Sequence, residues 1–219
     1  MASQTATERD ERELIRRIRS GEKEFFHELI RPYERSVYGL IHSVLPNAAD
    51  AEEVAQEAVF KAFLHLDQLA DDERFKAWLL RIAVNEARMR RRKDRPHLYE
   101  SLDDDAEEDG EGDVRPRQFA DWRDLPSEVL DREEVRAAVR EGIAKLPENY
   151  RVVLLLADAQ SLRYEEIAAT LKITMPAVKT RLHRARMKLQ EQLGPAFKPR
   201  LSDHLMLLKG MNPWSRVRK

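Results

Sequence analysis

The sequence predicts an all-α protein: two small helical domains joined by a flexible acidic linker. Three observations carry this. Apolar residues recur at helical spacing through most of the 219-residue chain. Long strand-like runs are absent and glycine numbers only 7. Between two periodic stretches lies Asp103-Asp104-Asp105-Ala106-Glu107-Glu108-Asp109-Gly110-Glu111-Gly112-Asp113, whose like charges repel and offer no apolar face to bury. The expected layout is an N-terminal extension at 1–21, a first module at 22–95, a linker at 96–125, a second module at 126–194 and a basic tail at 195–219.

Composition narrows the function classes. Charged residues make up 36% of the chain, yet the net charge is only -1, because acidic and basic residues are segregated along it. Cysteine is absent, which excludes disulfides, thiolate catalysis and cysteine-ligated zinc. No apolar run approaches the roughly 20 residues of a membrane span, and the N-terminus is too charged for a secretory signal. A cytoplasmic protein without membrane insertion is expected. The acidic run lacks the spacing and glycine of a calcium loop, the histidines show no ligand spacing, and no glycine-rich phosphate loop is present. No cofactor, metal or catalytic residue is expected.

In the first module Phe26, Leu29, Ile30, Tyr33, Val37, Leu40, Ile41 and Val44 follow a helical period, with Pro32 predicting a kink or restart. After Pro46-Asn47, the run Asp50-Ala51-Glu52-Glu53 resembles a capping box, in which Asp50 caps and Glu53 reaches back. That helix is expected to extend to about Leu66, with Val54, Ala58, Ala62 and Leu66 on one side. A polar stretch precedes a third helix, about Arg74 to Lys93. At 100° per residue, Phe75, Trp78, Leu79, Ile82, Ala83 and Met89 share its apolar arc. Glu86 falls inside that arc without an evident reason. Beside the arc, Arg81, Asn85, Arg88 and Arg92 form a narrow stripe, followed by Arg90-Arg91-Arg92-Lys93. Such a stripe suits either a solvated face or a phosphate backbone. Asn85, at its centre, brings donors and an acceptor where a purely electrostatic surface gains more from a cation.

The second module predicts a helix carrying Val135, Val139, Ile143 and Leu146, a strongly apolar one from Tyr150 to Ala159, a short one from Tyr164 to Leu171, a turn at Lys172-Ile173-Thr174, and a last helix from Met175 to Leu193. Thr174 is the expected N-cap, and Pro176 is tolerated in the first turn. Glycine would suit Lys172 better if φ is positive there. A short helix, a tight turn and a basic helix make the layout of a helix-turn-helix DNA reader. On the last helix Val178, Leu182, Ala185 and Leu189 form the buried stripe. Lys179, Thr180, His183 and Arg184 lie opposite, flanked by Arg181, Arg186 and Lys188. Arg184 suits guanine, while Lys179 suits guanine or phosphate. The competing reading is a basic amphipathic helix that docks on another protein.

Three motifs in order then resemble one family. Leu162-Arg163-Tyr164-Glu165-Glu166-Ile167-Ala168 with Val178-Lys179-Thr180-Arg181-Leu182-His183-Arg184-Ala185-Arg186 is similar to the C-terminal domain of ECF (extracytoplasmic function) sigma factors of the sigma-70 family. Asp50-Ala51-Glu52-Glu53-Val54-Ala55-Gln56-Glu57-Ala58-Val59-Phe60 resembles their core-polymerase-binding helix, and Phe75-Lys76-Ala77-Trp78-Leu79-Leu80-Arg81-Ile82-Ala83-Val84-Asn85 their promoter-melting helix.

The resemblance implies that 22–95 is sigma region 2 and 126–194 is sigma region 4. Asp50, Glu53, Gln56 and Glu57 would bind core RNA polymerase, whose β and β′ subunits are the expected partners. Arg81, Asn85, Arg88 and Arg92 would grip the −10 element, with Arg81, Asn85 and the Asp67–Arg74 loop receiving a flipped base. Lys179, Thr180, Arg181, His183, Arg184, Arg186 and Lys188 would bind −35 promoter DNA, and an anti-sigma factor is a candidate partner. A helix-turn-helix regulator that binds DNA without core polymerase shares the 162–186 pattern but leaves both upstream motifs unexplained.

Overall fold

A computed structural model describes the backbone of residues 2–94 and 133–208, and the side chains of residues 10–94 and 137–193. Among the described residues there is helix and turn and no strand. The helices are α1 (Ala2–Arg19), α2 (Phe26–Ile30), α3 (Glu34–Val44), α4 (Ala48–Leu64), α5 (Phe75–Asp94), α6 (Glu133–Lys145), α7 (Glu148–Leu154), α8 (Tyr164–Leu171) and α9 (Met175–Leu208). The acidic run, and with it the expected linker, lies outside the described residues.

These helices fall into two compact units, one within 1–114 and 148–182, the other within 115–147 and 183–219. In the first, α3, α4 and α5 pack on one another. Leu29, Val37, Ile41, Val54, Ala58, Leu79 and Ala83 make the centre, each almost completely buried. Ala51, Ala58 and Ala62 on α4 meet a helix that buries Ala83 and Ala87, so small side chains let the two backbones approach closely. Pro32 breaks the first periodic run as expected: a single 3₁₀ turn, Arg31–Tyr33, separates α2 from α3. The segment before the first module forms α1, which is packed through Ile15 and Ile18.

Two sequence readings need correction. The N-cap of α4 is Asn47, whose side chain accepts from the backbone N–H groups of Ala49 (2.9 Å) and Asp50 (3.5 Å). The helix therefore begins earlier than a cap at Asp50 requires, which frees Asp50 to pair elsewhere. On α5 the buried residues are Phe75, Ala77, Leu79, Leu80, Ala83, Val84 and Ala87, while Met89 is 54% exposed. The apolar arc is rotated because alanines, weak in hydropathy, face the tight contact with α4. That rotation also explains Glu86. Its carboxylate accepts from Lys61 Nζ at 2.6 Å, a half-buried pair between α4 and α5, and this hydrogen bond raises the Lys61 pKa above its ordinary value.

In the second unit α6 approaches α9 at Gly142. A Cβ there would lie 2.8 Å from Leu189 Cδ1, so any other residue makes the buried Leu189 side chain shift. The expected Tyr150–Ala159 helix is α7 followed by one π turn, Leu155–Ala159. The last helix runs beyond the expected Leu193, to Leu208.

The helix-turn-helix connection follows the sequence closely. Lys172 adopts φ 56° and ψ 43°, the left-handed conformation, and the Ile173 N–H closes the end of α8 on the Ala168 carbonyl at 3.1 Å. A non-glycine residue is strained there. Lys172→Gly is expected to stabilise the protein by about 0.5–1 kcal/mol, after allowance for the looser unfolded chain. A rise in the urea midpoint at constant slope is the check.

Candidate nucleic-acid interface

The helix-turn-helix is built from both its caps. At the start of α8, the Glu166 carboxylate accepts from the Arg163 backbone N–H at 2.8 Å and pairs with its guanidinium at 3.3 Å. Glu166, the third residue of α8, thus satisfies the backbone N–H of its own N-cap residue, the half of a capping box that this position supplies. At the start of α9, the Thr174 hydroxyl accepts from the Ala177 N–H at 3.3 Å, as expected. Ile167 and Leu171 on α8 are buried, as are Val178, Leu182, Ala185 and Leu189 on α9, which reproduces the predicted stripe. The other face carries the cations. Lys179 and Lys188 are exposed, and Thr180, Arg181, His183, Arg184 and Arg186 are half-buried. One helix face thus presents the residue set expected for groove binding.

The α5 stripe is partly as expected. Arg81, Asn85 and Arg92 are exposed. Arg88 is half-buried, with its Nε donating to Glu148 Oε1 at 3.3 Å, and Arg91 pairs with the same carboxylate. Glu148 begins α7, which packs on α3, and α8 packs on α5. Nearby, Lys76 Nζ donates to the Gln160 carbonyl at 2.6 Å, and burial lowers the Lys76 pKa. Sequence could not show this, because Glu148 is about sixty residues away from the helix it neutralises.

The α4 face divides in two. Asp50 and Glu53 pair with Arg90 at 2.8 and 3.2 Å, so Asp50 is drawn inward and half-buried. Glu53, Gln56 and Glu57 remain exposed, with Glu57 3.0 Å from Lys61. Beside them stand Phe60 and Leu64, 59% and 53% exposed. Neither was among the expected site residues, although a signal existed: both lie off the Val54–Ala58–Ala62 stripe and have no partner face on their own helix.

The 66–74 loop between α4 and α5 is ordered by two 3₁₀ turns, Leu66–Gln68 and Asp72–Arg74. Asp71 Oδ1 accepts from the Glu73 N–H at 3.0 Å, and Leu66 and Leu69 are buried beneath. Among the described residues no group of three metal-ligating side chains occurs, and no helix is long and apolar enough to cross a membrane.

Comparison with known proteins agrees with this arrangement. Residues 29–96 match the family model for sigma-70 region 2, and residues 136–189 that for sigma-70 region 4. The chain is 34% identical over 180 residues to the ECF RNA polymerase sigma factor SigW of Bacillus subtilis (strain 168), covering 82% of this chain and 94% of the relative. It is 33% identical over 191 residues to the RNA polymerase sigma-H factor of Pseudomonas aeruginosa, covering 86% and 96%. Its fold is similar to that of the sigma factor RpoE from Bartonella quintana, co-crystallised with the anti-sigma factor NepR, at a TM-score of 0.56 and 23% identity over 77% of this chain and 96% of that one.

Two sigma-70 regions in this order, the second ending on a helix with a basic face, define a DNA-binding transcription initiation factor. The chain belongs to the ECF sigma factors of the sigma-70 family, and it directs core RNA polymerase to promoters.

Proposed function

We propose a division of labour among the residues described above. Residues 22–95 act as the region 2 domain, 126–194 as the region 4 domain, and 96–125 as the linker, with no catalytic group of their own. In the cytoplasm, Glu53, Gln56, Glu57, Phe60 and Leu64 on α4 face the polymerase, and Asp50 acts by fixing Arg90. Lys179, Thr180, Arg181, His183, Arg184, Arg186 and Lys188 bind −35 duplex. Arg81, Asn85, Arg88 and Arg92 hold the melted −10 strand, and a phosphate at Arg88 takes the place of the Glu148 carboxylate. An anti-sigma factor is a further partner, supported by the one bound to the Bartonella quintana neighbour.

The observation that carries the −10 assignment is Asn85: a neutral, exposed amide in a stripe of arginines, about two and a half turns before the basic end of α5. An amide offers two donors and an acceptor, which suits a base edge better than a phosphate. Extruding a base from the stack costs a few kcal/mol, so a reader must return energy at that step. Asn85→Ala is therefore expected to keep core binding and −35 duplex binding, but to impair promoter opening in a way that depends on the base at one −10 position. Permanganate footprinting with all four bases at each position tests this. Normal melting with unaltered base preference would reduce the stripe to a phosphate track.

A further inference from the structure

The N-terminal helix α1 reaches the 66–74 loop through two arginines. The Arg19 guanidinium donates through Nη2 to the backbone carbonyls of Leu66 (3.1 Å) and Leu69 (2.6 Å), and through Nη1 to Asp72 Oδ1 (2.9 Å). Arg12 Nη2 donates to Glu73 Oε1 at 2.5 Å. One planar fork thus serves three acceptors on both 3₁₀ turns of the loop, which a point-like ammonium cannot do. Arg19 and Asp72 are about one-third exposed, so part of this network is shielded from water.

α1 is itself anchored. Ile15 and Ile18 are buried, Arg17 pairs with Glu22 and lies 3.5 Å over the Phe25 ring, and Tyr33 hydrogen-bonds Glu11. The brace therefore has a fixed base and a grip on backbone oxygens. Its target lies outside the α-helices, where the backbone is otherwise held by Asp71, by two short turns and by the buried Leu66 and Leu69.

We propose that α1 is the positioning element of the promoter-reading loop: Arg19, assisted by Arg12, holds residues 66–74 in the shape that receives the −10 base. This rests on the reading that the loop works together with Arg81 and Asn85 at the −10 element. Arg19 is a positioning residue and touches no DNA. It governs base discrimination through the loop, while core binding belongs to α4 and −35 binding to α9.

The test uses full-length protein with core polymerase, and single-stranded −10 oligonucleotides that carry each base in turn at each position. Hydrogen exchange of the Leu69–Glu73 amides is followed in parallel. Arg19→Ala is expected to speed that exchange and to reduce affinity for the preferred base about tenfold, the scale of a lost charge-assisted hydrogen bond. Affinities for the other bases change little, so discrimination flattens, and core and −35 duplex binding stay within about twofold. Arg19→Lys keeps the charge but serves fewer acceptors, so it recovers only part of the affinity for the preferred base and, with it, part of the discrimination. Asp72→Asn, on the loop side, gives a smaller loss in the same direction and guards against misfolding of the Arg19 variants. Loop exchange and discrimination unchanged in both Arg19→Ala and Asp72→Asn overturn the proposal. Asn85→Ala separates the two levels. If it alters base preference while Arg19→Ala does not, the brace fails and the −10 assignment stands. If Asn85→Ala is neutral and Arg19→Ala still loosens the loop, the −10 assignment fails.

Discussion

Phe75→Ala is expected to destabilise the first unit by about 3–5 kcal/mol, the range for truncating a fully buried aromatic. Phe75 is 0% exposed, edge-to-face with Tyr33 at 5.6 Å between centroids and 6.1 Å from Trp78. It is also the first residue of α5, at the end of the 66–74 loop. The cavity would therefore open where the loop enters the helix that carries Arg81 and Asn85. Chemical denaturation followed by circular dichroism checks the magnitude. A loss under 1 kcal/mol would mean that the neighbouring rings collapse into the space, and that Phe75 does not hold the start of α5.

The second large effect concerns α9. Arg184→Ala is expected to cost about 1–3 kcal/mol on the preferred −35 duplex and to relax selectivity at one base pair, because a lost bidentate contact is sequence-specific. Lys188→Ala should weaken all duplexes alike and lower the slope of log affinity against log salt by about one, because it removes one phosphate contact. Leu182 and Leu189, which hold this face in place, are buried and are left intact by both substitutions. Equilibrium binding across salt concentrations on a set of single-base variants separates the two. The same loss on every sequence for both substitutions would refute the division into reading and anchoring residues.

What was legible in the sequence follows the range of the forces involved. The helix-turn-helix was readable because its determinants are local: Thr174 caps α9, Lys172 turns left-handed, and Val178, Leu182, Ala185 and Leu189 repeat at helical spacing. The Pro32 break is local in the same way. Failures arose where a distant partner decides. Glu86 finds its reason only in Lys61, twenty-five residues away, and Asp50, with the cap taken by Asn47, finds its partner in Arg90, forty residues on. Met89 was assigned inward because its hydropathy exceeds that of Ala77 and Ala87, whereas close approach of α4 and α5 selects the smaller side chains. Of the candidate site, the division of α9 into a buried stripe and a cationic face was legible from spacing alone. On α5 the spacing predicted the exposure of Arg81, Asn85 and Arg92 but not the Glu148 contact to Arg88, and on α4 it predicted the exposed acids but not the exposed apolar pair beside them.

That pair has a consequence for how the protein behaves when alone. Phe60 and Leu64 stand one helical turn apart on α4, each more than half exposed. Water pays an unfavourable free energy of about 25 cal/mol for each Å² of such surface. A binding partner that covers both removes that cost, and so does a second copy of the chain. The free factor should thus be adhesive in solution, more so in sulfate, which strengthens apolar burial. Sedimentation velocity should show weak, concentration-dependent self-association in ammonium sulfate. Phe60→Ser with Leu64→Ser should remain monomeric under the same conditions, with an unchanged unfolding midpoint.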